Sequence, residues 1–265
     1  MKESEAETQW VFMLDGDNTL WDTNMVFTRA QMAVLRELRR TGLKFTQGDG
    51  FKILRRIDDR LVSYYKSREY DFRALFVALS LRFNGQTETE AVSSAPRIVK
   101  GRIPSELKKS VESCSRVFRK EMRQMPPLFR GVKGTLAAFR RKPSVILLFS
   151  EGDVVRVSRL ISTLSLERYF DRIFVRKKTY GLYARARELA LSKLVSGRNT
   201  KVMVVGDLLD PDVRIGNRIH AITVLRLAGY KPDQHPNDEL EKPDYIIKEI
   251  PQLLSILKRV ERSRN

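Results

Sequence analysis

Short apolar runs of strand length recur along this chain, separated by longer stretches with helical spacing. Residues 10–14, 145–149, 173–175, 202–205 and 222–225 are brief, nearly continuous and rich in β-branched or aromatic side chains. Runs without polar alternation suit strands covered on both faces, as in a parallel sheet. Between them, 154–164 and 182–194 carry amphipathic periodicity. This alternation predicts an α/β fold whose core is a Rossmann-like, doubly wound parallel sheet. Residues 245–247 read as a late edge strand and 250–260 as a closing helix.

From 23 to 126 the pattern changes. Apolar residues recur three and four apart, as in Met32, Leu35 and Leu38, then Ile53, Ile57 and Leu61, then Leu75, Leu79 and Phe83. The spacing predicts helices near 25–41, 47–65, 70–83 and 104–124, with turns at Thr41-Gly42, Asn84-Gly85 and Gly101. Adjacent prolines, Pro126 and Pro127, stop the last of them. The expected organisation is a core domain from 1–22 and 127–265, with an α-helical domain, 23–126, inserted after the first strand.

Composition narrows the setting. Of 265 residues, 42% are hydrophobic, enough for a substantial buried core. The longest apolar runs, 10–14, 74–79 and 145–149, fall far below the roughly 18 residues of a membrane span. The acidic N-terminal stretch has no signal-peptide apolar segment, and Cys114 is alone. Together these features point to the cytoplasm, with no membrane partner. Fifty Lys and Arg against 32 Asp and Glu give a formal charge of +18. That excess suits a nucleic-acid partner or an anionic substrate, although clusters such as 36–40, 55–60, 140–142, 172–178 and 258–264 also have the dispersion of solvated faces.

Candidate chemistry sits where the strands end. The first strand runs into Asp15-Gly16-Asp17-Asn18-Thr19-Leu20, and the fourth into Gly206-Asp207 and on to Asp210-Pro211-Asp212. In an open α/β sheet, ligands bind at the carboxyl ends of the strands. Hard carboxylate oxygens from separate strand ends, with only two histidines in the chain, suit Mg²⁺ rather than zinc. Each motif also has a plain reading: the first is a good turn, and Asp210-Pro211 is a helix start, with Asp210 as N-cap and Pro211 in the first turn. The second strand ends in Ser150-Glu151-Gly152-Asp153, either a phosphate cradle at a helix N-terminus or Ser150 as an ordinary N-cap. Lys177 and Lys178 follow the third strand and could offset a phosphoryl charge.

In this order, Asp15 to Leu20, Ser150, Lys178 and Gly206-Asp207 with Asp212 resemble the four motifs of the haloacid-dehalogenase-like (HAD) superfamily. The helical insertion resembles that superfamily's C1-type cap, and the likeness spans roughly 12–257. The resemblance implies a phosphatase-branch hydrolase acting on a small phosphorylated substrate. Asp15 would be the nucleophile and Asp17 the general acid/base. Ser150 and Lys178 would hold the phosphoryl group. Asp207, Asp15 and the backbone carbonyl of Asp17 would hold Mg²⁺, with Asp212 in support. Dehalogenases in this superfamily lack an acid at the Asp17 position, so Asp17 favours phosphoester hydrolysis; phosphomutases keep both. Two departures stand out: Thr179 follows Lys178 where proline is frequent, and Glu151 takes the place of a frequent Asn. The alternative class is a nucleic-acid-binding protein, or a phosphatase of nucleic-acid ends, using the basic surface.

Overall fold

The computed structural model describes residues 8–66, 70–227 and 234–263. The acidic N-terminal stretch before residue 8, and the end of the basic run 258–264, lie outside them. The chain divides into two compact units, Met1–Asn24 with Pro126–Asn265, and Met25–Met125.

In the first unit, six strands make one sheet: β1 (Gln9–Asp15), β2 (Ser144–Ser150), β3 (Arg172–Val175), β4 (Thr200–Gly206), β5 (Ile222–Arg226) and β6 (Tyr245–Ile247). Their order is β3-β2-β1-β4-β5-β6, and every pairing is parallel. The chain therefore steps outward from β1 to β3, then returns to the other flank of β1 at β4. That reversal beside β1 is a topological switch point, where a crevice opens at the strands' carboxyl ends. Register keeps those ends level: Leu14 lies opposite both Leu148 and Val205, and Ser150 opposite Val175.

β1 is buried along its whole length, which explains why its sequence shows no polar alternation. On one face of the sheet, Phe12 stacks on Phe139 with centroids 3.9 Å apart, and Trp10 continues the stack at 5.5 Å. On the other, Val11, Met13, Phe149 and Val204 pack with Tyr183 and Ala186.

The second unit holds most of α1 (Thr23–Arg40), with α2 (Gln47–Tyr65), α3 (Arg73–Phe83), α4 (Glu88–Lys100) and α5 (Ser105–Met122). Every residue of α3 from Ala74 to Ser80 is buried. An apolar run without a polar face thus marks a helix enclosed on all sides, not a strand. Tyr70 belongs to this core and donates from its hydroxyl to Asp58 at 2.5 Å, whereas Tyr64 is exposed. α4 is an element that apolar spacing did not predict. It starts at a reciprocal cap in which Thr87 accepts from the Glu90 backbone while Glu90 accepts from the Thr87 backbone, the S/T-x-x-E signature.

The remaining helices belong to the sheet unit: α6 (Val132–Arg140), α7 (Val154–Thr163), α8 (Tyr180–Leu191), α9 (Arg214–Arg218) and α10 (Gln252–Arg262). α6 was also unpredicted; it begins at Gly131, whose φ of 79° is the left-handed region open to glycine. Two expected helix starts are corrected. Asp153, not Ser150, caps α7, accepting from the Arg156 backbone. Asp210 caps nothing: its backbone is extended (φ −121°, ψ 121°), and α9 begins only at Arg214. The Asp210–Asp212 stretch is instead bent so that Asp212 turns inward, where it is 1% exposed. No helix among the described residues is long and apolar enough to cross a membrane.

Candidate active site

Three strand ends, those of β1, β3 and β4, converge on one buried group of charges. Asp15 is the last residue of β1 and Asp207 follows β4, while Asp212 returns from the bend after it. One oxygen from each of these carboxylates lies within 4.8 Å of the others. Gly206 makes that approach possible, since a Cβ there would stand 2.1 Å from Asp212 Cγ. Gly16 has a similar role, because a Cβ would meet the Trp21 ring at 2.4 Å.

Lys178 enters this group from the segment after β3. Its ammonium lies 2.5 Å from Asp15 Oδ1 and 2.6 Å from Asp212 Oδ1, and its side chain is 4% exposed. Lys178, rather than Lys177, is therefore the lysine that reaches the carboxylates. Glu151 has a definite place as well: Oε1 accepts the Lys178 backbone N–H at 2.6 Å, which ties the end of β2 to the segment carrying the lysine. The other oxygen of Asp15 accepts from the Thr19 hydroxyl at 2.8 Å.

One cation among three buried carboxylates leaves surplus negative charge. Burial, then the neighbouring Asp212 and Asp207, raise the Asp15 carboxyl well above its ordinary range, against the pull of Lys178. Asp207 is pushed up to about 7 by burial and by Asp212. Lys178 is raised well above the usual lysine value: burial opposes its charge, and Asp15 and Asp212 outweigh that cost. Such a set of buried, oxygen-only donors fits a hard divalent cation, which would supply the missing positive charge.

Asp17 stands two residues from Asp15 in different company. Oδ1 accepts from Trp21 Nε1 at 3.2 Å and pairs with Arg156 at 2.5 Å; the Thr23 hydroxyl donates to it as well. Oδ2 accepts from the Ser150 hydroxyl at 2.8 Å, and that hydroxyl accepts from the Gly152 backbone at 3.1 Å. Burial alone would raise Asp17, yet Arg156, Thr23 and Ser150 outweigh it and hold the carboxyl below its ordinary value.

Asp15, Lys178, Asp207 and Asp212 are thus brought together, and Ser150 is brought to Asp17. The Asp17 carboxylate is aimed at Ser150 and Arg156, outside the three-carboxylate group. Sequence reasoning missed Thr19, Arg156, Gln234 and Arg226. Gln234 accepts from the Leu209 backbone and donates to the Asp207 carbonyl. Arg226 had a visible signal, a charge at the carboxyl end of a buried apolar strand; Gln234 had none.

No protein-family model and no curated protein sequence matches the chain. Solved structures do. A haloacid dehalogenase-like family hydrolase from Xanthomonas campestris aligns with a TM-score of 0.61 at 17% identity, covering 98% of this chain and 100% of that one. YfnB from Bacillus subtilis, a protein named for the HAD hydrolases and solved bound to magnesium, aligns at 0.57 and 17%, covering 95% and 99%. A protein from Thermotoga maritima named for β-phosphoglucomutase aligns at 0.54 and 15%, covering 94% and 99%. The likeness is one of fold: this chain has the α/β fold of the haloacid-dehalogenase-like hydrolases.

Proposed function

We propose that the protein is a Mg²⁺-dependent phosphatase that hydrolyses a phosphomonoester through a phosphorylated Asp15. The observation that carries this reading is the pairing of two differently housed carboxylates on one turn, Asp15 beside Lys178 and the acidic group, Asp17 beside Ser150. Asp15 Oδ1 attacks phosphorus as the bond to the leaving oxygen breaks; Asp17, ionised beside Arg156 before substrate arrives, takes the proton of the monoanionic phosphoester and passes it to that oxygen. Asp17 then takes a proton from the water that hydrolyses the aspartyl-phosphate. Ser150 and Lys178 hold the transferring group, with Lys178 released from Asp15 as the phosphoryl group arrives. Asp15, Asp207 and Asp212 are the side chains that would hold Mg²⁺, and the ion would supply charge neutralisation of the anionic substrate. The unit Met25–Met125 serves in this reading as a cap that selects the substrate and keeps water out.

A second reading, action on nucleic-acid ends, is favoured by one feature: between Met25 and Met125 there are 22 Lys and Arg against 11 Asp and Glu. One experiment separates the two. Phosphate release is measured on phosphorylated metabolites and on 5′- and 3′-phosphorylated oligonucleotides, with Mg²⁺ and with chelator. Release from a metabolite that needs Mg²⁺ and falls at least about a thousandfold in Asp15→Asn is the expected result. Full activity in a folded Asp15→Asn protein would overturn the role of Asp15. Preference for oligonucleotides would favour the second reading.

A further inference from the structure

β5 ends in a charged residue whose side chain is not in water. Arg226 is 6% exposed. Its Nη1 donates to the Asn18 carbonyl at 2.5 Å, and its guanidinium lies over the Phe129 ring, 3.5 Å from the centroid. Its Nε has no partner among the described residues. Burying a cation with an incomplete set of partners is costly, so its presence at this place calls for a physical reason.

The reason lies in the turn it reaches. Asn18 has a left-handed backbone, φ 56°, directly after Asp17 and three residues after Asp15. Its N–H donates to the Trp21 carbonyl, and its side-chain oxygen accepts from the Asn24 backbone. The Asn18 carbonyl is the remaining main-chain group of that residue, and Arg226 takes it. Phe129, on which the guanidinium stacks, is itself held to the same turn by its N–H to the Leu20 carbonyl, 3.0 Å. Arg226 therefore touches the turn twice, once directly and once through Phe129, from the strand beside β4. A planar guanidinium can hydrogen-bond in its plane and stack on its face at once; an ammonium cannot.

We propose that Arg226 is a positioning residue for the phosphatase site: it clamps the Asp17–Asn18 main chain so that the two carboxylates of the turn keep their spacing relative to Asp207. The inference rests on the proposed function for its kinetic consequence, but not for the clamp itself. Arg226 hydrogen-bonds to none of the reacting groups; its charge lies within electrostatic reach of Asp207 and Asp22, and it holds the turn through the Asn18 carbonyl.

The test uses Arg226→Met, Arg226→Lys and Phe129→Leu in the full chain. Hydrogen exchange, followed by mass spectrometry without metal or substrate, reads the clamp; steady-state kinetics read its consequence. In Arg226→Met, amides 16–22 should exchange faster while those of β1 and β4 keep their protection. The same variant should lose roughly 10- to 100-fold in kcat with KM held within about threefold, as misplacement of reacting groups predicts. Arg226→Lys should recover part of the loss, and Phe129→Leu should fall between wild type and Arg226→Met. Unchanged exchange at 16–22 in Arg226→Met, or protection lost equally over the whole sheet, would overturn the clamp. A wild type that releases no phosphate sinks the phosphatase reading alone, because the exchange result stands without it. Should Arg226→Met fail to fold, Arg226→Lys and Phe129→Leu carry the same comparison.

Discussion

The two sides of one turn show how the same side chain is given opposite character. Asp15 lies among Asp207 and Asp212, deep and short of positive charge, so its carboxyl is raised. Asp17, two residues on, faces Arg156, Thr23, Ser150 and Trp21, and its carboxyl is lowered. The turn itself supplies Trp21 and Thr23 to Asp17; most of the difference originates elsewhere. It comes from what the other strand ends deliver: β4 and the bend after it send acids to one side, while β2 and α7 send donors to the other. The lesson is that a motif of two carboxylates fixes where chemistry can happen, and distant chain segments decide which carboxylate does what.

The harshest way to break the contrast is to remove the cation on the Asp15 side. Lys178→Met leaves Asp15 and Asp212 without their counter-charge, and stripping one partner from a buried ion pair costs about 3–5 kcal/mol. The expected result is a large drop in melting temperature and loss of phosphate release. Added Mg²⁺ should raise the melting temperature of this variant more than that of wild type, since the ion then supplies the only counter-charge. Equal shifts would argue that the acidic group is not where the ion binds.

A gentler disturbance moves one acid without removing charge. In Gly206→Ala the new Cβ would stand 2.1 Å from Asp212 Cγ, so Asp212 must swing away from Lys178. The cost should be roughly 1–3 kcal/mol, with weaker Mg²⁺ binding by calorimetry. Unaltered Mg²⁺ affinity would place Asp212 outside the ion's ligands.

The smallest expected change sharpens the Asp17 side. Arg156→Met should cost no more than about 1 kcal/mol, because the pair is partly open to solvent. Its pH dependence is more telling. A carboxyl held below its unfolded value contributes stability that is present above the unfolded pKa and is lost as pH falls through the folded one. The gap in melting temperature between wild type and Arg156→Met should therefore be widest near neutrality and close as pH drops below about 4. A gap that stays constant with pH would mean that Arg156 contributes packing rather than charge.

How far the sequence could be read follows from where each signal lives. β1 and β4 were legible because strands buried on both faces need uninterrupted apolar runs, and the acids after them stand at strand ends for the same local reason. α3 was legible by its period despite containing the longest apolar run of the helical unit. α4 and α6 were not, since caps at Thr87 and Gly131 mark their starts more clearly than any apolar stripe. In the site, Asp15, Asp17, Lys178 and Asp207 could be named from local motifs. Arg156 as the counter-charge of Asp17 could not, because it lies 139 residues away and its direction depends on the α7 start that Asp153, rather than Ser150, sets. Arg226 and its grip on Asn18 span 208 residues, a contact only the folded sheet creates.

The bond from Glu151 to the Lys178 backbone has a consequence for how the site fails. β3 is the outermost strand on its side and only four residues long, with its first two residues exposed. Lys178 is thus mounted on the margin of the sheet, while the acids it serves are mounted near the centre. Margins open more readily than centres, so the first event on warming would be a loosening of the lysine from intact acids. The protein would lose competence before it loses its fold, and the carboxylate of Glu151 sets how large that interval is.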